Sequence, residues 1–171
     1  MSDIASAATG GTEAYGLFEG DDQGVRQFIT FAVGAEEFGV DIMAVKEIRG
    51  WGETTPLPNA PRYVRGVINL RGSIVPIYDL RTRFGQGVTE TTSTHVVIIV
   101  TVGSRILGLL VDAVSDILSV TGAEIAPVPD LDGHGDTAFL AGLVALEGRM
   151  VTIIAVEELL RGDAADPASI N

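Results

Sequence analysis

A chain of 171 residues with 23 acidic and 11 basic side chains carries a formal charge of −12, and 46% of it is hydrophobic. That length suits one domain, or two small subdomains packed together, and that hydrophobicity excludes wholesale disorder. The acidity argues against a general nucleic-acid binder, because polyanions attract basic surfaces, and the lack of cysteine excludes a disulfide framework, a thiolate metal site and a thiol nucleophile.

Residues 1–25 hold five acids and no base among Gly, Ala, Ser and Thr, with no sustained period, and read as a flexible acidic tail. They lack the basic start and apolar stretch of a secretory signal, and no later apolar run approaches the roughly 18 residues that cross a bilayer, so a cytoplasmic chain without membrane insertion is expected. Phe28–Val33, a turn over Gly34–Glu37 and Phe38–Val40 read as a hairpin. Residues 26–90 are near neutral, and within them Arg62, Arg65, Arg71, Arg81 and Arg83 crowd together opposed only by Asp79. Asp79 is placed to cap a short helix in which Leu80 and Phe84 share a face and which Gly85 can stop. His95–Val102, a turn at Gly103–Ser104 and Arg105–Val111 form a second hairpin, whose Val/Ile run predicts a strand covered on both faces. Residues 91–160 carry a net charge of −7. Residues 129–136 read as an exposed acidic, Gly-rich loop, and 162–171 as a C-terminal tail.

The two hairpins are copies. Sliding residues 28–48 by 69 onto 97–117 gives seven identities in 21 positions, and sliding 64–80 by 76 onto 140–156 gives five in 17. Val156 and Leu160 then repeat the helix face of Leu80 and Phe84, with Gly162 after them. Two matches in the same order mark an internal duplication into halves of about 26–90 and 91–161. Each half has about five strands and one turn of helix, the inventory of a small closed barrel, and closure removes aggregation-prone edges. Leu109, Leu110 and Val111 exceed one barrel's needs and are candidates for an interface between the two. Whether each barrel is contiguous in sequence or borrows a strand from the other half stays open.

The chemistry of catalysis is missing. The only histidines are His95 and His134, there is no P-loop, and no serine sits in a nucleophile elbow. Asp130, Asp132, His134 and Asp136 alternate like cation ligands but lack the closing bidentate Glu of a calcium loop. No catalytic residue, metal or cofactor is therefore assigned. What departs from the duplication is charge. Asn69-Leu-Arg-Gly72 matches Ala145-Leu-Glu-Gly148, so a guanidinium, Arg71, stands at the turn of one copy only. Arginine suits multi-donor contacts with carboxylates or backbone carbonyls, either in a partner or between subdomains. Val45–Arg49 parallels Val114–Leu118, and both keep an apolar–x–acid–apolar edge that can serve as a docking strip or as ordinary strand alternation.

These residues carry a resemblance. Phe38-Gly-Val-Asp41, Val45-Lys-Glu-Ile-Arg-Gly50, Pro56 with Pro58, Val64-Arg-Gly-Val-Ile-Asn-Leu-Arg-Gly72, Ile74-Val-Pro-Ile77 with Asp79-Leu80, and Gly108-Leu-Leu-Val-Asp112 with Val114-Ser-Asp116 make the chain similar to the CheW-type coupling proteins of bacterial chemotaxis, over roughly residues 26–161. Trp51, where the family often has Tyr or Phe, is a mild departure. The resemblance implies a mainly β fold of two five-stranded SH3-like barrels and no enzyme activity. It further implies a bridge between the cytoplasmic tip of methyl-accepting receptors and the regulatory domain of the histidine kinase CheA, in membrane-associated arrays. Carried over by position, Val45, Gly66, Arg71, Val96 and Ile117 match receptor-contact positions, and Glu47, Ile48 and Arg49 match kinase-facing ones. A CheW-like regulatory domain of a larger kinase or receiver fusion is the alternative.

Overall fold

Ten short strands account for more than half of the described residues. The computed structural model describes residues 24–129 and 139–159. Most of the expected acidic tail, the 130–136 loop, Leu160 and the C-terminal tail therefore lie outside the described residues. In chain order the elements are β1 (Val25–Val33), β2 (Glu36–Asp41), β3 (Val45–Gly50), β4 (Val64–Leu70), β5 (Ser73–Asp79), the helical turn α1 (Leu80–Arg83), β6 (Val96–Val102), β7 (Arg105–Val111), β8 (Ala113–Thr121), β9 (Leu140–Leu146) and β10 (Arg149–Ile154). Single 3-10 turns follow β2 (Ile42–Ala44) and β8 (Gly122–Glu124), and residues 156–159 are helical.

The local signals behave as their chemistry dictates. Both duplicated hairpins close on two residues, with Val33 opposite Glu36 and Val102 opposite Arg105, and their glycines take φ of +64° at Gly34 and +60° at Gly103. The first turn is thus shorter than the expected Gly34–Glu37, because Glu36 and Glu37 already pair in β2. Asp79 caps α1 by accepting from the Arg81 N–H at 3.1 Å, and Leu80 and Phe84 face the same core. The Gly85 N–H closes the turn onto the Thr82 carbonyl at 3.0 Å.

The strands form two five-stranded sheets, ordered β8-β1-β2-β10-β9 (sheet I) and β3-β6-β7-β5-β4 (sheet II). Replacing each strand by its duplicate turns one order into the other. Each sheet takes its leading hairpin from one half of the sequence and its other three strands from the other half. The halves meet twice within each sheet, antiparallel at β8–β1 and β3–β6 and parallel at the other junction, where Ile153 of β10 stands opposite Gly39 and Ile77 of β5 opposite Gly108. A Cβ on Gly108 would come within 2.6 Å of Ile77 Cδ1, and one on Gly39 within 3.1 Å of Ile153 Cδ1. The shared glycines thus lie where equivalent isoleucines approach the backbone closely, more tightly at Gly108, where Val97 Cγ1 also comes within 2.8 Å, than at Gly39. A lone bridge curls each sheet round, Thr55 to Val67 in sheet II and Ala126 to Leu143 in sheet I.

This architecture needs three cores. Phe28, Leu118, Val120, Val144, Val151 and Ile153 fill the concave face of sheet I, and Leu70, Val75, Ile77, Val97, Ile99 and Leu110 fill that of sheet II. A third, larger core lies between the sheets, with Ile29, Phe31 and Val33 of β1 set against Ile98, Val100, Leu107, Leu109 and Val111. β6 is thus buried on both faces, as its Val/Ile run predicts. Leu109 and Val111 do fill the interface, whereas Leu110, pointing the opposite way by strand alternation, belongs to the core of sheet II. At the seam the Asp112 N–H donates to the Ala32 carbonyl at 2.9 Å, while its carboxylate accepts from the Gly34 N–H at 2.8 Å and from Arg81.

Candidate interaction surface

β3 is an edge strand: it pairs with β6 alone and offers its other side to solvent. Its sequence suits an exposed edge, because only Val45 leans on the inter-sheet core while Lys46, Ile48, Arg49 and Gly50 are open to water. Ile48 is 43% exposed, a large apolar side chain between charges. Glu47 stands half-buried beside it and receives a hydrogen bond from the Arg71 guanidinium, while Arg49 Nη1 lies 3.7 Å from its other oxygen. The hydrogen bond from Arg71, reinforced by the charges of Arg71, Arg49 and Lys46, holds the Glu47 carboxyl below the ordinary Glu range against a weaker opposing effect of burial.

Arg71 reaches Glu47 from the two-residue turn between β4 and β5, where Leu70 pairs with Ser73. Both turn residues are left-handed, Arg71 at φ +50° and Gly72 at +92°, and the Asn69 side chain accepts from the Gly72 N–H at 2.8 Å. In the duplicate turn Gly148 is left-handed and Glu147 is not. Gly66 lies at a bulge in β4 with φ +142°, and a Cβ there would fall 2.5 Å from the Thr55 carbonyl oxygen. That close approach is the lone bridge that curls sheet II, so Gly66 is fixed by the fold whatever else touches it.

The remaining expected residues are spread wider. Val96 opens β6 opposite Gly50 and, like Val45, packs half-buried on the inter-sheet core. Ile117 lies in the other sheet, on edge strand β8 opposite Ile29, and is 55% exposed. The structure thus gathers Val45, Glu47, Ile48, Arg49 and Arg71 on one edge, places Val96 at its end, and sets Ile117 apart. Ile48 and Ile117 are repeat equivalents, as are Glu47 and Asp116, so each sheet offers one edge strand with an exposed isoleucine after an acid. The acids are handled differently. Asp116 accepts from the Thr30 hydroxyl, which does most to hold its carboxyl below the ordinary range, and it is 3.4 Å from Arg149. Arg149 itself is hydrogen-bonded to Glu37, which raises its affinity for its proton.

Beyond β3 the chain leaves an open cleft of about 290 Å³ lined by Arg49, Trp51, Thr54, Thr55, Ile68 and Asn69. Trp51 extends the β3–β6 ladder by donating its N–H to the His95 carbonyl at 3.0 Å, and the Arg65 guanidinium lies 5.6 Å from its ring centroid. Sequence reasoning gave Asp79 only as a helix cap and assigned no role to Asp112. Asp79 is fully buried and, besides capping α1, accepts from the Thr89 N–H and hydroxyl and from Arg65 at 3.3 Å. Asp112 is opposed by burial, yet Arg81, the Gly34 N–H and His95 keep its carboxyl below the ordinary range. The signal for Asp112 was an acid directly after the buried run Leu109–Val111. Ile74 and Met150, exposed at equivalent repeat positions, were also legible as apolar residues in the solvent phase of their strands.

No group of His, Asp and Glu suited to a metal occurs among the described residues, and none of their helices is long and apolar enough to cross a membrane. What the geometry offers is protein contact: edge strands β3 and β8, each with an exposed isoleucine, and the Arg71–Glu47 pair beside the first. The family model described as "CheW-like domain" matches residues 27–164. A chemotaxis protein CheW of Rhizobium meliloti (strain 1021) is 48% identical over 145 residues, covering 85% of this chain and 94% of that protein. A chemotaxis protein CheW of Klebsiella aerogenes is 43% identical over 138 residues, covering 81% and 83%. Among solved structures, a scaffolding protein TtCheW of Thermoanaerobacter tengcongensis superposes with a TM-score of 0.69 at 34% identity, covering 75% of this chain and 83% of that one.

Proposed function

The chain belongs to the CheW-like domain family, and from that premise we propose that it is a non-enzymatic chemotaxis adaptor that couples receptors to a histidine kinase. In this reading the receptor's helical hairpin packs on Val45, Val96 and Ile117, with Arg71 and the backbone at Gly66 beside it, and the kinase's regulatory domain takes Glu47, Ile48 and Arg49. An amphipathic helix is read by apolar side chains at helical spacing, each fully buried one contributing up to ~1.5–3 kcal/mol. Arg71 supplies orientation more than affinity. The adaptor acts at the membrane by recruitment to receptors, without inserting.

The observation that carries the reading is the pairing of Arg71 with Glu47. One member belongs to each proposed contact surface, so a receptor helix that draws on Arg71 also changes the position of Glu47 and leaves its carboxylate without its partner cation at the kinase edge. Coupling then needs no large rearrangement, only a differential preference of the two partners for the paired and unpaired states. The test is reconstitution of a receptor cytoplasmic fragment, the kinase and this protein, with autophosphorylation as readout. Stimulation that requires all three components is expected, and its absence with a cognate receptor and kinase overturns the role.

A further inference from the structure

Sheet II ends in two edges, β3 and β4, that its curl turns toward each other. On β3, Glu47 stands opposite Ile99 and Arg49 opposite Val97, both residues of the sheet II core. Glu47, Arg49 and, by alternation, Trp51 therefore point to the concave side, while Ile48, opposite Ile98, points away. The open cleft separates Arg49, Gly50 and Trp51 on one bank from Val67, Ile68 and Asn69 on the other. At one end the banks are tied by reciprocal backbone hydrogen bonds between Thr55 and Val67, each 2.9 Å long. At the other end the tie is a side-chain pair, Arg71 with Glu47.

That second tie is easily exchanged. Arg71 is 66% exposed, and an exposed ion pair biases an equilibrium by no more than about fivefold. A second cation stands ready on the same strand face. Arg49 Nη1 is 3.7 Å from Glu47 Oε2, near enough to attract the carboxylate and too far to hydrogen-bond with it. At the equivalent positions of sheet I, Glu47, Arg49, Trp51 and Arg71 are replaced by Asp116, Leu118, Val120 and Glu147. Two acids cannot pair across that seam, and Leu118 and Val120 are sealed in the sheet I core.

We propose that Glu47 is a two-position latch on the seam of sheet II. Paired with Arg71, it holds β3 against β4; when Arg71 is drawn away, the carboxylate passes to Arg49 and the seam parts at the cleft beside Trp51. Moving Arg49 toward Glu47 also takes a guanidinium off the cleft wall, so the hand-over and the opening reinforce each other. The latch is a property of the free chain. Its use by a receptor that engages Arg71 rests on the coupling reading above.

Trp51 is the only tryptophan of the chain, so its fluorescence reports on this cleft alone. Arg71→Asn and Glu47→Ala in the full chain are each expected to raise the acrylamide quenching constant of Trp51 about twofold, as the closed population falls. The double variant should quench no more than either single one, because both act through one pair. In an Arg49→Gln background the step caused by Arg71→Asn should shrink; a full step there overturns the hand-over. Unchanged quenching in both single variants, or additive effects, overturns the latch. Amide exchange separates opening from general loosening: Thr55 and Val67 should exchange faster in Arg71→Asn while sheet I is unaltered, and faster exchange in both sheets overturns the proposal. Adding a tryptophan-free receptor cytoplasmic fragment to the unaltered chain should bring quenching to the Arg71→Asn value. Binding that leaves quenching unchanged or lowers it overturns the latch as the route of coupling. No binding overturns the coupling reading instead, and the free-chain variants then judge the latch.

Discussion

Arg71 adopts φ +50° in a turn where Gly or Asn is at ease, and a left-handed L-residue costs roughly 1–2 kcal/mol. The turn therefore tolerates better residues, and the guanidinium serves what it touches. Arg71→Asn is expected to leave the melting temperature unchanged or raised by a few degrees, to let the Glu47 carboxyl return toward its ordinary titration range, and to cut kinase stimulation about tenfold, a loss of ~1.4 kcal/mol. Arg71→Glu goes further, setting two carboxylates together as coupling fails with the fold intact; a collapsed melting transition in that variant would make Arg71 structural. That one copy alone has an arginine was legible in the sequence, but its partner was not: Glu47 is 24 residues away and meets it only because sheet II curls. Asp112 shows the same limit, since its ligands Gly34, Arg81 and His95 come from three separate segments. With its folded pKa depressed, the stabilisation from Asp112 is complete above the unfolded Asp value of about 3.9 and lost as pH falls through the lower folded value. Thermal melts should hold from pH 7 to 5 and fall below about pH 4, and Asp112→Asn should melt lower at pH 7 with a shallower acid decline.

At the level of elements, what was local was readable and what was not local was hidden. The hairpin turns and the Asp79 cap follow from residues within four positions of one another, and they formed where the sequence pointed, with Gly34–Ala35 replacing a longer turn. The parallel pairs β2–β10 and β5–β7 join strands over a hundred or about thirty residues apart, which no short-range pattern reports. Their trace in the sequence was the repeated Gly39 and Gly108, whose cause needed the facing isoleucines. Gly108→Ala is expected to destabilise by ~1–3 kcal/mol through overpacking, more than Gly39→Ala, because its Cβ would meet Ile77 at 2.6 Å against 3.1 Å for the other pair. Ile77→Val, which removes the offending Cδ1, should recover part of that loss. A double-mutant cycle by chemical denaturation measures the coupling, and additive effects would show that the clash is relieved elsewhere.

Over the whole molecule, the duplication and the two-sheet fold class were visible from the sequence, and the way the copies are woven was not. Residues 24–90 supply two strands to sheet I and three to sheet II, so neither sheet is complete without residues 91–159. A fragment of residues 24–90 is expected to lack a dispersed amide spectrum alone and to gain one on mixing with 91–171; a folded, monomeric fragment would contradict this. The same weave has the form of a strand exchange. Two identical five-stranded chains that exchanged their leading hairpins would make these two sheets and this shared core, as a swapped homodimer. In such an ancestor both edges would have to be alike, because one gene encodes both, and any change to one docking strand would be copied to the other. A single chain that holds both copies is free of that constraint, and here one edge has Arg71 at its turn while the other has Glu147.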